Sequence, residues 1–170
     1  YGRPVYRVEP SKTFKRELIQ RYWFPFHSDL RTAFTDHGDE AKLYLDCHSM
    51  AQTGPSAYGD SGAQRPLICL ANLGDHIGEP RPAAGLTSCD GEFIRRAAAI
   101  AGEVFADLEL IEPSGAMPPP VVSINRPYAG GYILRWFSQT FRQSLTTGAA
   151  SLPGMMIEVN RGLYVGNQNQ

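Results

Sequence analysis

Four short apolar runs, separated by helical stripes and by Gly/Pro-rich stretches, constrain the fold of this chain more than any other feature. They lie at residues 42–47, at 67–71 after Arg65-Pro66, at 121–124 after Pro118-Pro119-Pro120, and at 155–165. Each has strand length and is bounded by turn formers. Two helix-period segments accompany them, one before the first run and one between the second and the third. Pro10-Ser11 opens one in which Phe14, Leu18, Tyr22, Phe26, Leu30 and Phe34 recur every fourth residue, with Pro25 set to kink or divide it. Asp90 caps a second, from about Gly91 to Leu108, with an apolar stripe through Phe93, Ile94, Ala97, Ile100, Ala101, Val104 and Leu108. Gly130-Gly131 leads into a third helix expected to reach Gln143. Strands alternating with helices predict a three-layer α/β/α domain over residues 1–170, with a mostly parallel or mixed central sheet.

Two of the strands carry charge where apolar residues are expected. In Leu43-Tyr44-Leu45-Asp46-Cys47-His48-Ser49-Met50, alternation sends Asp46 and His48 to one face and Leu45 and Cys47 to the other. A carboxylate thus lies beside an imidazole, the commonest protein metal ligand, near a strand's C-terminal end. In Met155-Met156-Ile157-Glu158-Val159-Asn160-Arg161, a carboxylate is set between Ile157 and Val159. An ionised carboxylate there is costly unless a cation, a metal or a hydrogen-bond network meets it. A structural ion pair with an arginine is the plain alternative to a functional role.

Other features narrow the function. The 170 residues carry a formal charge of −1, which argues against general attraction to nucleic acid or to an anionic membrane. No apolar stretch is long enough to span a bilayer. Cys47, Cys69 and Cys89 have neither disulfide-framework nor C-x-x-C spacing, which points to reduced thiols and the cytoplasm. Only Lys12, Lys15 and Lys42 are lysines, so the cationic groups are mostly guanidinium, suited to bidentate carboxylate recognition. Arg126, after the strand at 121–124 and beside Asn125 and Gly130-Gly131, is the candidate carboxylate binder; pairing with Glu158 or Asp46 is its structural alternative. Gly59-Asp60-Ser61-Gly62 matches a serine-protease nucleophile motif without the all-β pattern around it, and reads as loop. Cys47 and His48 face opposite sides, which is wrong for a thiol–imidazole pair. His27, near Pro25, reads as structural or supporting, and His37 and His76 as solvated.

Taken in order, Leu45-Asp46-Cys47-His48-Ser49-Met50, Asn125-Arg126-Pro127-Tyr128-Ala129-Gly130-Gly131-Tyr132-Ile133 and Ile157-Glu158-Val159-Asn160-Arg161 resemble the N-formylglutamate amidohydrolase family, itself similar to zinc carboxypeptidases. The resemblance runs from the first helix to Tyr164. It implies a zinc carboxypeptidase-like fold, zinc as cofactor and a small acidic N-acyl amino acid as substrate. It further implies His48 as a metal ligand, Glu158 as the catalytic base, and Asp46 and Ser49 as supports of the metal shell. Arg126, Asn125, Gly130, Gly131, Asn160 and Arg161 would form the substrate pocket. Family members also carry, in an earlier segment, a Pro-His-Ser/Asp-Gly-type motif and an acidic residue supplying two further ligands, then an Asp-x-Asn-Arg-type motif. None of these is found here, so the chain reads as the central and C-terminal part of a longer domain that holds only the third ligand.

Overall fold

The computed structural model describes residues 6–37, 40–82, 85–112, 117–138 and 152–165. The element order is α1 (Lys12–Leu18), a π turn (Ile19–Trp23), α2 (Phe24–His37), β1 (Tyr44–Met50), β2 (Ile68–Ala71), α3 (Gly91–Val104), β3 (Val122–Ile124), α4 (Tyr132–Trp136), β4 (Gly154–Asn160) and a 3₁₀ turn (Arg161–Leu163). The strands form one sheet in the order β1-β4-β2-β3, in which β4 pairs parallel with β1 and antiparallel with β2, while β2 and β3 are parallel. The sheet is therefore mixed.

Residues paired in register share a face. Leu70, Ile68, Met155 and Ile157 point to one side, where Ile94, Phe93 and Ala97 of α3 pack on them together with Leu67, Cys89 and Leu110. Tyr44, Met156 and Ala71 point to the other, under Phe34 of α2, Leu134 of α4 and Phe137. Helices thus cover both faces, as the alternation of strands and helices predicts. Ile94 and Leu134 are fully buried, each such side chain contributing about 1.5–3 kcal/mol of apolar transfer.

The first helix starts as expected, with Ser11 Oγ accepting from Phe14 N at 3.1 Å. Pro25 divides it by way of the π turn, in which Phe24 N–H reaches back to Ile19 O and the ladder is reset just before the residue that has no N–H. The apolar stripe fails along most of its length: Phe14, Tyr22 and Phe26 are exposed and Phe34 is buried. A strict four-residue repeat advances about 40° per step on a 3.6-residue helix, so the stripe winds round the helix and meets the sheet at one end only. Asp90 caps α3 through Phe93 N at 2.7 Å, but the helix stops at Val104 rather than Leu108, and Ile100 and Val104 lie on its solvent side. The expected extension of α4 to Gln143, like Gly38 in the exit from α2, lies outside the described residues.

β1 begins two residues later and runs three residues further than the expected 42–47, because all of Tyr44–Met50 finds a partner in Gly154–Asn160. β4 ends at Asn160, whose side-chain oxygen accepts from Gly162 N at 2.9 Å and turns the chain into the 3₁₀ segment. No helix among the described residues is long and apolar enough to cross a membrane.

Candidate active site

The register aligns four polar side chains across one face of the sheet. His48 of β1 pairs with Glu158 of β4, Glu158 with Cys69 of β2, and Cys69 with Ser123 of β3. His48 and Glu158 are thus brought together as neighbours near the C-terminal ends of two parallel strands. Cys47 pairs instead with Ile157 on the opposite face, together with Ser49 opposite Val159. Ser49 therefore does not share the face of His48 and Glu158.

Asp46 Oδ1 lies 2.8 Å from His48 Nε2. A carboxylate accepts, so in this pair Nε2 is the donor and Nδ1 is the ring nitrogen left over. That is the pattern by which a carboxylate orients a metal-binding imidazole. Asp46 Oδ2 is buried without a hydrogen-bond partner among the described residues. Near it, burial first, then the charge of Asp46, pushes the Tyr44 phenol above its ordinary range. Among the described residues, however, no group of three or more His, Cys, Asp or Glu side chains is gathered to hold a metal.

Glu158 is 8% exposed. Burial raises its carboxyl above the ordinary range; the nearby His48 and Arg65 oppose that rise and Asp46 adds to it. The ion pairs of lysine and arginine among the described residues join Lys15 to Glu9, Arg65 to Asp60 and Arg95 to Glu79. Neither Glu158 nor Arg126 takes part, so the structural pairings that were the plain alternative for both are not formed among these residues.

Arg126 is exposed and follows β3, with its peptide bond to Pro127 cis. Ser123 Oγ donates to its carbonyl. Asn125, at φ 54°, spends its amide inside the protein: Oδ1 accepts from Asn72 N at 2.9 Å, and Nδ2 donates to Asn72 Oδ1 at 2.8 Å and to Asp75 O. Asn160 Nδ2 likewise donates to the carbonyls of Pro66 and Arg65 at 3.0 and 3.3 Å. Gly130, at φ 135°, lies so close to Leu73 that a Cβ would meet its Cδ2 at 2.5 Å, whereas a Cβ on Gly131 would meet only Met156 Sδ at 3.8 Å. Arg161 has left the strand for the 3₁₀ turn, so strand alternation no longer fixes its direction.

Sequence reasoning missed Arg65. Its side chain is fully buried, held by Asp60 through Nε–Oδ2 at 2.7 Å and Nη2–Oδ1 at 3.0 Å, and its guanidinium lies 5.0 Å from the ring centre of Tyr128 and 5.6 Å from that of Tyr58. Asp60 belongs to the Gly-Asp-Ser-Gly loop, which therefore serves as an arginine's partner and not as a nucleophile turn. The one signal in the sequence was an arginine directly before an apolar run, five residues after an aspartate.

His27 is buried on α2, its Nδ1 2.8 Å from Trp23 O and its ring stacked on Trp23 at 3.9 Å, in contact with Tyr132 and Trp136. Its surroundings are aromatic. His37 and His76 are exposed, as expected.

No curated protein and no solved structure matches the chain. A family model described as N-formylglutamate amidohydrolase matches residues 1–165. The match spans both strands of the His48–Glu158 pair and the Asn125–Ile133 segment beside them, and it carries a hydrolase of amidohydrolase type: the chain belongs to the N-formylglutamate amidohydrolase family.

Proposed function

We propose that this chain hydrolyses the acyl–nitrogen bond of an N-acyl amino acid, with N-formylglutamate as the substrate and Glu158 as the general base. The observation that carries the reading is the register pairing of Glu158 with His48, together with the absence of Glu158 from every ion pair among the described residues. A buried carboxylate with no structural partner, next to an oriented imidazole, is poised for proton transfer. Glu158 takes a proton from water as the water oxygen bonds to the acyl carbon. It then gives the proton to the departing nitrogen as the C–N bond breaks, leaving formate and the free amino acid.

Arg126, exposed and in no ion pair with Glu158 or Asp46 among the described residues, binds the substrate carboxylate. Asn125 and Asn160 serve the site through the backbone they hold, and Gly130 lets the loop after Arg126 close against Leu73. Gly131 and Arg161 border the pocket, and Ser49 supports β1 from its other face. Zinc as cofactor belongs to this proposal: His48, oriented by Asp46, offers Nδ1 as one ligand, and the bound ion supplies an acidified water and a polarised carbonyl. One imidazole does not complete a three-ligand site, so the proton transfers are assigned to the chain's own groups alone. A mixed sheet with helices on both faces supports a zinc carboxypeptidase-like fold, and reduced cysteines support the cytoplasm.

The lack of a three-ligand cluster among the described residues favours a second reading, a ligand-binding or structural piece with no catalysis of its own; a related zinc peptidase or amidase with another acyl substrate is a third. Formate release from N-formylglutamate, measured with and without added zinc, separates them. Release that disappears in His48→Ala supports the proposal. No release under any metal condition, with the chain folded, supports the non-catalytic reading, and cleavage of other acyl amides alone supports the third.

A further inference from the structure

The two edges of the sheet are unlike. β3 has three residues and follows Pro118-Pro119-Pro120, which cannot donate to a further strand. β1, at the other edge, is seven residues long, regular along its whole pairing with β4, and free of proline, lysine and glycine. Tyr44 N donates to Pro153 O at 2.9 Å, so the peptide groups of Tyr44 and of every second residue after it turn toward β4. Those of Leu45, Cys47 and Ser49 turn the other way, and among the described residues no backbone hydrogen bond reaches them. Leu45, Cys47, His48 and Ser49 are all exposed, which leaves room beside the strand on both faces. Such an edge is a template for another strand.

We infer that β1 of a second copy of this chain occupies the edge, antiparallel, about a two-fold axis through Cys47. A two-fold contact requires a strand that complements itself, and the charges of this one do so in one central register. With the axis at Cys47, Asp46 faces the second copy's His48 and His48 faces the second copy's Asp46. An axis at Asp46 would set carboxylate against carboxylate, and one at His48 would set Asp46 against Met50. Leu45, Cys47 and Ser49 then exchange about six backbone hydrogen bonds with their counterparts, and the Asp46–His48 pairs fall at the non-hydrogen-bonded positions, where side chains approach most closely. Directly opposed residues share a face, so the polar rows of the two copies form one continuous band, with a residue of the second copy beside each His48.

Sedimentation of the intact chain under reducing conditions tests this. The interface is one strand pair, at the small end of specific contacts, so a reversible doubling of mass is expected between about 1 and 100 μM. Leu45→Lys adds a charge at the exposed edge, and Leu45→Pro removes an outward N–H where an edge strand tolerates proline. Each should weaken association at least about tenfold, and dilute Leu45→Lys should keep its melting temperature, so the lysine variant carries the test if the proline variant does not fold. Cys47 is the exposed thiol, Cys69 and Cys89 being buried, and an axis through Cys47 holds its two Cα atoms about 5.5 Å apart, within reach of a disulfide. The oxidant diamide should therefore link the wild-type chain into a covalent dimer, far faster than it links Leu45→Lys, and should not link Cys47→Ser. A chain that stays monomeric up to about 100 μM overturns the inference and leaves the edge to an extended segment of a different polypeptide. Association that survives both Leu45 variants, or a dimer that diamide does not link, overturns it as well, by placing the contact on another surface or in another register.

Discussion

Asp60→Asn examines the buried guanidinium without touching the polar row. Arg65 is 1% exposed in its side chain and Asp60 25%, so the substitution removes the counter-charge from the drier partner. Breaking a fully buried pair costs about 3–5 kcal/mol, because the surviving charge is left uncompensated. Two features reduce that figure: Asp60 is partly solvated, and Tyr58 and Tyr128 still face the guanidinium, each worth about 0.5–2 kcal/mol. Asn also retains one acceptor. The expected loss is about 1–3 kcal/mol, or about 2–12 °C in melting temperature for a domain of this size. Urea and thermal unfolding of the two proteins at neutral pH give the number. The pH dependence is a second signature. The hydrogen bond from Arg65, aided by its charge and opposed by burial, holds the Asp60 carboxyl below its ordinary value. Its stabilisation is therefore present above the unfolded pKa of about 3.9 and lost as pH falls through the folded one. The difference between the proteins should shrink below about pH 4. A loss under 0.5 kcal/mol at neutral pH, or one that does not shrink in acid, refutes the argument.

Other substitutions separate scaffold from site. Gly130→Ala places a Cβ 2.5 Å from Leu73 Cδ2 at a positive φ and should cost about 1–3 kcal/mol by denaturant titration. Asn160→Ala removes two donor bonds to backbone carbonyls and the cap on Gly162, and should cost about 2–4 kcal/mol in the same assay. Glu158→Gln should leave the melting temperature unchanged or raise it at neutral pH: burial raises the folded pKa, so the ionised form is the one the fold disfavours, and any gain should vanish in acid, where both states are protonated. His48→Ala should lower bound zinc in metal analysis of the purified chain, and unchanged zinc would remove His48 from the metal's ligands.

Local rules made the strands and their faces legible. Period two alone separates Asp46 and His48 from Cys47, and Glu158 from Ile157, and the register carries both divisions into the fold. It could not say which strands are neighbours, and so could not say that His48 stands beside Glu158 or that Ser123 completes their row. Helix ends were less legible than helix starts. Ser11 and Asp90 cap through contacts three residues away, whereas the stop at Val104 is marked by no glycine or proline in the residues that follow it. Arg65 was illegible for a related reason. Its burial depends on Tyr128, far along the chain, and an arginine before an apolar run reads as a solvated strand entry until that ring is placed. Asn125 and Asn160 show the converse: both stood out as polar residues at strand ends, but it was not legible that their amides are committed to backbone and to Asn72.

Turnover by Glu158→Gln tests the central claim most directly, since the substitution keeps the volume and removes the base. With N-formylglutamate as substrate and formate as the measured product, kcat should fall by at least about a hundredfold while the folded fraction and melting temperature do not fall. A variant that retains most of its turnover per folded molecule while losing stability would contradict the account and return Glu158 to the core.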